Sequence, residues 1–335
     1  MKAAVLHKPG SPLVIEDAEV PRPGPGEILI KIKACGVCHT DVHLAAGEWR
    51  LPKLPLILGH EVTGVVEAVG SGTNGFQPGD RAGISWTHSS CGSCEYCTTD
   101  REPLCPEIVI TGFMVDGGYA EYITAPASHT IQIPTDLSFL EAAPLFCAGL
   151  TSYRALKISG ARVGDSVAIW GVGGLGHYGI QIARTMGARV IAVDIDAKKL
   201  ELARELGADV AVNAGERDAG KQIRELGGAH VVVCLAPTAA AIEQGFQALR
   251  RGGTLVLVAV PAGNFTLPVL GSIAKGIRIL TSAVGTRQDL REVLALASAG
   301  KVRTIASNAP LDSINEVFGQ MRDGQITGRV VLEFS

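Results

Sequence analysis

Four cysteines, Cys91, Cys94, Cys97 and Cys105, stand at spacings of three, three and eight residues inside one short stretch, CGSCEYCTTDREPLC. Thiolates so spaced can fold back on a single ion, and four of them make a tetrahedral donor set that suits zinc. Two disulfides would use the same residues. Disulfide-dense chains, however, are small secreted domains without an adequate core, and a chain of 335 residues has no such need. A nucleic-acid-binding zinc ribbon is a further reading, but the stretch is not basic and lies inside a long globular pattern. A second, looser set, Cys38, His60 and Cys147, is scattered along the chain. Structural zinc sites are closed by four protein ligands, whereas catalytic ones keep a position open for water or substrate. The two sets together predict two zinc ions per chain, one that shapes the fold and one that does chemistry. Taken alone, Cys147 reads more readily as a small buried apolar side chain.

Further along, the run GVGGLG follows directly on the β-branched run SVAIW. Gly171 permits a tight turn, Gly173 lets backbone approach a pyrophosphate, and Gly176 lets helix pack on strand, with Gly174 and Leu175 completing the loop. A phosphate would then meet the helix N-terminus. Glycines so spaced also serve ordinary turns, so the context decides. Asp194 ends the next apolar run eighteen residues after Gly176, where a carboxylate accepts hydrogen bonds from an adenosine ribose. Asp196 is the better N-cap for the helix AKKLELAREL, and Gly207 ends it. Ile195 stands where a basic residue would receive a 2′-phosphate, so NAD is expected over NADP.

Two kinds of scaffold must position these groups. From Lys2 to about Val69 the runs LVIEDAEV, EILIKIKAC and EVTGVVEAV alternate as half-buried strands between Pro- and Gly-rich turns, which reads as antiparallel β structure. GVCHTDVHLAAGEW starts at a strand end and enters a short helix, LPLILGHE puts His60 and Glu61 at the start of a strand, and LEAAPLFCAGLTSYRAL reads as a helical stretch through Cys147. From Val163 the grammar changes. SVAIW, RVIAV, VAVN, HVVVC, TLVLVA and IRILT give six parallel strands separated by helices, the number a complete dinucleotide-binding sheet requires. The closing helices and the strand TGRVVLEF belong most economically with the first domain. The expected domains are therefore residues 1–150 with 288–335, and 151–287.

Charge is nearly balanced, 30 basic against 33 acidic residues, which gives no electrostatic case for nucleic acid or a membrane surface as partner. A small neutral ligand fits better. No apolar run reaches the length of a membrane span and the opening residues do not read as a signal peptide, so a cytoplasmic protein is expected.

The motifs GVCHTDVH, GHE, the cysteine quartet, Cys147 and GVGGLG, in this order over essentially the whole chain, resemble those of the zinc-dependent medium-chain alcohol dehydrogenases. The resemblance implies a chaperonin-10-like β-rich catalytic domain, an inserted six-stranded Rossmann domain, and an active site in the cleft between them. It implies that Cys38, His60 and Cys147 bind the catalytic zinc, that Glu61 replaces water there in one state, and that Asp41 orients His60. It implies His39 beside the cofactor pyrophosphate, Thr151 beside the nicotinamide, Lys199 beside the adenosine ribose and Arg329 beside a phosphate. The implied chemistry is reversible oxidation of primary alcohols, aliphatic or aromatic, to aldehydes through a zinc alkoxide and hydride transfer to NAD. Thr40 and His43 would relay the proton, though a threonine in a turn and a surface histidine are their ordinary readings.

Trp49 and Trp86 are candidate walls of the substrate pocket, or simply packed aromatics, and the resemblance favours Trp86. A secondary-alcohol or polyol dehydrogenase is the neighbouring alternative. A non-catalytic NAD- and zinc-binding regulatory protein is the alternative from another class, and a proton relay would serve it nothing. The resemblance further implies a homotetramer or dimer assembled through the edge of the Rossmann sheet, with ILTSAV as candidate edge.

Overall fold

Parallel strands buried on both faces need near-continuous apolar runs, and SVAIW, VIAV, VVVC and TLVL in the inner strands meet this demand. In the computed structural model, which describes residues 1–261 and 264–335, Ser166–Trp170, Arg189–Asp194, Val210–Asn213, Ala229–Cys234, Leu249–Leu257 and Arg278–Thr281 form one parallel sheet. Counted along the chain, their spatial order is 3-2-1-4-5-6, the arrangement of a Rossmann sheet. Val167, Ala168, Ile169 and Val190 at its centre are fully buried. The helix Ala197–Glu205 begins at Asp196, whose carboxylate accepts the Lys198 N–H at 2.9 Å, and is followed by Gly207 at φ +99°. These elements belong to a compact unit of Thr151–Gly285 with Lys301–Arg303.

The other unit comprises Met1–Leu150, Thr286–Gly300 and Thr304–Ser335. Its spine is the eleven-residue strand Glu27–Val37, whose alternate residues Ile28, Ile30 and Ile32 are fully buried. One edge of this strand pairs antiparallel with Glu61–Val69; the other pairs with Tyr122–Pro126 and then with Arg329–Glu333. The sheet is mostly antiparallel, as the alternation predicts, but Ala306–Pro310 adds a parallel edge beside Arg329–Glu333 that the sequence pattern does not announce. That strand, ASNAP, is short and almost wholly exposed, so burial leaves no mark on it.

One expectation needs correction. The stretch through Cys147 is not a continuous helix: it runs as a helix Phe139–Ala142, a 3₁₀ turn Ala143–Phe146 containing Pro144, and a second helix Ala148–Ser159. Pro144 carries no N–H to continue the ladder, and Cys147 falls at the break, with φ −133° and ψ −70°. Among the described residues no helix is long and apolar enough to cross a membrane.

Candidate metal centres and dinucleotide site

Cys38 ends the strand Glu27–Val37 and caps the helix His39–Ala46, whose first-turn Asp41 reaches back to accept the Cys38 N–H at 3.1 Å. His60 directly precedes the strand Glu61–Val69, and Cys147 sits at the helix break. The fold brings the donor atoms of Cys38, His60, Glu61 and Cys147 within 4.8 Å of one another, all in buried residues. His60 Nε2 lies 3.3 Å from Cys147 Sγ. Metal bonds of about 2.0 to 2.3 Å set ligand atoms of one tetrahedron roughly 3.3 to 3.8 Å apart, so this spacing fits a shared zinc.

The electrostatics are those of a site built for a cation. Hydrogen bonding from Cys147 and then His60 drives the Cys38 thiol well below its ordinary range, although burial opposes this. The partner Cys147 is pushed up by that same bond and by burial. Burial works against a charge on His60, yet the Asp41 carboxylate raises it well above the usual histidine range. Burial also pushes the Glu61 carboxyl up to about 7, against the pull of Arg329. Arg329 forms a buried ion pair with Glu61 Oε1 and is itself only 4% exposed, while Glu61 Oε2 is buried with no hydrogen-bond partner. A buried carboxylate with one unpartnered oxygen, in a residue gathered with two thiols and an imidazole, is a group that a divalent ion would satisfy.

Asp41 is fully buried and accepts from four donors: the Cys38 N–H, the Gly59 N–H at 3.2 Å, His60 Nδ1 at 3.1 Å and the Tyr119 hydroxyl at 2.8 Å. Its oxygen on Nδ1 leaves Nε2 of His60 facing Cys147. Nothing in the sequence singles out Tyr119, since GGYAEY reads as an ordinary strand entry. Thr40 and His43 stand in successive turns of the helix His39–Ala46. His43 Nδ1 bonds Glu48 Oε2 at 2.7 Å, its side chain is 33% exposed, and its ring stacks on Trp49. His39 is exposed. Trp86 presents its ring edge to His60 at 5.0 Å between centroids and stacks on Phe113, so the two tryptophans separate, Trp86 at the cluster and Trp49 beside His43.

In the cysteine loop the sulfur separations are 3.9 Å for Cys91 to Cys97, 3.6 Å for Cys94 to Cys97 and 3.6 Å for Cys91 to Cys105. A disulfide needs about 2.05 Å, and four thiolates on one zinc at about 2.3 Å stand roughly 3.8 Å apart. Backbone N–H groups point at the sulfurs: Cys94 N–H to Cys91 Sγ at 3.3 Å and Cys91 N–H to Cys105 Sγ at 3.5 Å. The amides of Ser93 and Cys94 are the main reason the Cys91 thiol is drawn down to about 6. All eight cysteines are free. Both donor sets fit zinc. Glu102, within this loop and only 5% exposed, is gripped by Arg287 Nε and a terminal nitrogen, each at 2.9 Å, a tie that cysteine spacing could not foretell. Nearby His129 is bracketed by Ser128 at 2.9 Å and Ser90 at 3.0 Å, a satisfied structural histidine.

In the Rossmann unit the glycines differ in their reasons. Gly171 has φ +98°; a Cβ on Gly176 would lie 2.0 Å from the Gly171 carbonyl oxygen; a Cβ on Gly173 would meet nothing within 4 Å. The open space is thus on Gly173, and the helix Gly176–Thr185 that starts there at Leu175 has no side-chain cap. Asp194 Oδ2 accepts the Val172 N–H at 2.7 Å, and Oδ1 accepts those of Ile195 at 2.8 Å and Asp196 at 3.0 Å. The acidic residue therefore locks the glycine turn to the end of the second strand. Ile195 beside it is 74% exposed. Thr151 is buried and Lys199 half-buried on the helix Ala197–Glu205.

The chain matches two family models, an alcohol dehydrogenase GroES-like domain over residues 24–135 and a zinc-binding dehydrogenase domain over 174–299. It is 50% identical to an alcohol dehydrogenase of Geobacillus stearothermophilus over 99% of both chains. It is 45% identical to one of Moraxella sp. over the full length of both. Among solved structures, the alcohol dehydrogenase of Aeropyrum pernix superposes with a TM-score of 0.93 at 38% identity, covering both chains completely. The acetophenone reductase of Geotrichum candidum, solved with NAD, superposes at 0.90 and 30% identity over 99% of this chain and 97% of that one. Two metal-type donor sets on a β-rich unit, a glycine turn on a Rossmann unit and full-length identity of this order place the chain in the zinc-dependent medium-chain alcohol dehydrogenase family.

Proposed function

We propose that the chain is a zinc- and NAD-dependent dehydrogenase that interconverts primary alcohols, aliphatic or aromatic, and their aldehydes. The observation that carries this reading is the buried convergence of Cys38, His60, Glu61 and Cys147 in a chain that also ties a glycine turn to Asp194. Cys38, His60 and Cys147 would hold a catalytic zinc, with Glu61 as an occasional ligand; Cys91, Cys94, Cys97 and Cys105 would hold a structural one. Bound there, zinc supplies Lewis acidity that eases loss of a hydroxyl proton, and NAD supplies the hydride acceptor.

The side chains do the rest. Asp41 fixes the ring of His60 through Nδ1. Thr40 Oγ1 accepts the substrate's hydroxyl proton as it gives up its own toward His43, which, held at Nδ1 by Glu48, takes a proton at Nε2 and releases it to water. Trp86, backed by Phe113, gives the cluster an apolar wall that suits a hydrocarbon substituent and leaves little to recognise a polyol. Gly171, Gly173, Gly174, Leu175 and Gly176 would take the pyrophosphate with His39, and Asp194 and Lys199 the adenosine ribose. Thr151 would contact the nicotinamide. Arg329, now on Glu61, would reach a phosphate only by leaving that carboxylate.

Supporting a homo-oligomer, the edge strand Arg278–Thr281 directly follows the helix Val269–Lys275, whose Val269, Leu270 and Ile273 are 64%, 82% and 74% exposed. Sedimentation should find a dimer or tetramer. A panel of primary alcohols, secondary alcohols and polyols, each with NAD and with NADP, tests the activity. Fastest turnover of primary alcohols with NAD supports the reading. Preference for secondary alcohols would favour the second reading, which the similarity to an acetophenone reductase supports. Full turnover by Cys38→Ala would refute the zinc mechanism.

A further inference from the structure

Tyr119 lies 78 residues from Asp41 in the chain, yet its hydroxyl makes the shortest of the carboxylate's four hydrogen bonds, 2.8 Å to Oδ2. The other three donors, the N–H groups of Cys38 and Gly59 and the ring of His60, belong to the metal-binding segments themselves. Tyr119 alone reaches Asp41 from outside. Its placement is secured twice over. The Tyr119 N–H donates to the Leu58 carbonyl at 3.0 Å and the Gly118 N–H to Gly59 at 2.8 Å, so this segment is laid along the residues leading to His60. Its ring occupies the space a Cβ on Gly59 would need, 2.5 Å from Cδ1, and meets the edge of Phe318 at 6.2 Å.

We propose that Tyr119 is a positioning residue for the catalytic metal site, holding the Asp41 carboxylate so that its other oxygen stays on His60 Nδ1 and the imidazole keeps Nε2 on the ion. This rests on the reading that Cys38, His60 and Cys147 bind zinc. A fully buried carboxylate has no water to fall back on. If the phenol donor is removed, Oδ2 keeps only the Cys38 N–H, and an under-bonded buried charge turns toward whatever donor it can find. Rotation of the carboxylate about its last torsion draws Oδ1 off His60, which frees the ring to turn away from the metal. Partners that orient a ligating histidine usually contribute ten- to a hundredfold in metal affinity; acting one bond further out, Tyr119 is assigned the lower end, roughly tenfold.

The experiment uses the full chain loaded with two zinc ions, and compares Tyr119→Phe with Phe318→Leu. The first keeps the ring and loses only the hydroxyl. The second loosens the packing of the ring and leaves the hydroxyl. Zinc retention is measured by competition with a chelator, with the four-cysteine ion as internal reference, and cobalt at the His60 site reports ligand geometry through its visible bands. Tyr119→Phe should stay folded by circular dichroism and keep its four-cysteine ion. It should release the second ion at roughly tenfold lower chelator concentration, with shifted cobalt bands. Phe318→Leu should melt lower and retain both. Unchanged retention and bands in Tyr119→Phe overturn the inference, as does equal loosening by Phe318→Leu. A wild-type chain that binds one zinc only overturns the reading of the site, and the inference with it.

Discussion

Replacing Gly176 by alanine tests how the dinucleotide turn is built. The added Cβ would stand 2.0 Å from the Gly171 carbonyl oxygen and 2.9 Å from its carbon, where ordinary contact begins at 3.4 Å. The obstacle is backbone, so no rotamer change relieves it, and the start of the helix Gly176–Thr185 must part from Gly171 by about 1.4 Å. Overpacking of this kind costs about 1–3 kcal/mol, and the helix propensity gained over glycine returns at most about 1 kcal/mol. A net loss near 1–2 kcal/mol lowers Tm by roughly 2–8 °C.

The displacement also carries Val172 off Asp194, whose carboxylate accepts its N–H at 2.7 Å, so NAD affinity should fall at least about tenfold, or 1.4 kcal/mol. Gly173→Ala is the contrast. Its Cβ meets nothing within 4 Å, so stability should hold while the methyl enters the space a pyrophosphate needs. Thermal melts and calorimetric titration with NAD read both effects. A Gly176→Ala protein with unchanged Tm and NAD affinity would refute the reasoning, as would a Gly173→Ala protein that melts lower and binds normally.

Glu102→Gln should weaken the hold of Arg287 on the cysteine loop; because the Arg287 side chain is 30% exposed, the loss is set at about 1–3 kcal/mol, below that of a fully buried pair, and a double-mutant cycle with Arg287→Ala should return the coupling. Cys97→Ser should lower the zinc content from about two ions per chain to one and speed proteolysis between Cys91 and Cys105, both read on the purified protein. His129 is held down to about 4 by burial and then by Arg287. An unfolded histidine titrates near 6.5, so the unfolded chain takes up a proton that the folded chain refuses. The His129 contribution is therefore fully present above about pH 6.5 and lost as pH falls toward 4, with a slope of at most about 1.4 kcal/mol per unit. His129→Gln should flatten the pH dependence of the urea midpoint across this window.

What the sequence disclosed follows from how local each feature is. The sulfurs of Cys91, Cys94, Cys97 and Cys105 meet across one loop, so spacing alone foretells their gathering. The inner parallel strands were legible because burial on both faces forces apolar runs, whereas the edge strands Val210–Asn213 and Arg278–Thr281, only partly buried, were legible from their place in the alternation with helices. Cys147 was visible as a cysteine but not as a break in a helix, since helical periodicity persists on either side of Pro144. Tyr119 was hidden. Its partner Asp41 is distant in sequence, and nothing in GGYAEY separates a hydroxyl aimed at a buried carboxylate from one in solvent. Glu102 and Arg287 were hidden likewise, as ordinary charges 185 residues apart.

The strand Arg329–Glu333 is not an ornament at the edge: it lies between Glu27–Val37 and Ala306–Pro310, and it brings Arg329 to Glu61. On the ribosome this imposes a wait. All the thiols of both donor clusters have been synthesised once Cys147 is added, but the sheet whose strand ends carry Cys38 and His60 stays open on one side until Glu333 emerges. At about 5–20 residues per second, that interval is on the order of 10–40 s. Through it the long strand Glu27–Val37 presents part of an unpaired edge, and the cysteines stand in a half-built frame. The nascent chain is thus most exposed to wrong pairing and thiol oxidation while its Rossmann segment is being made.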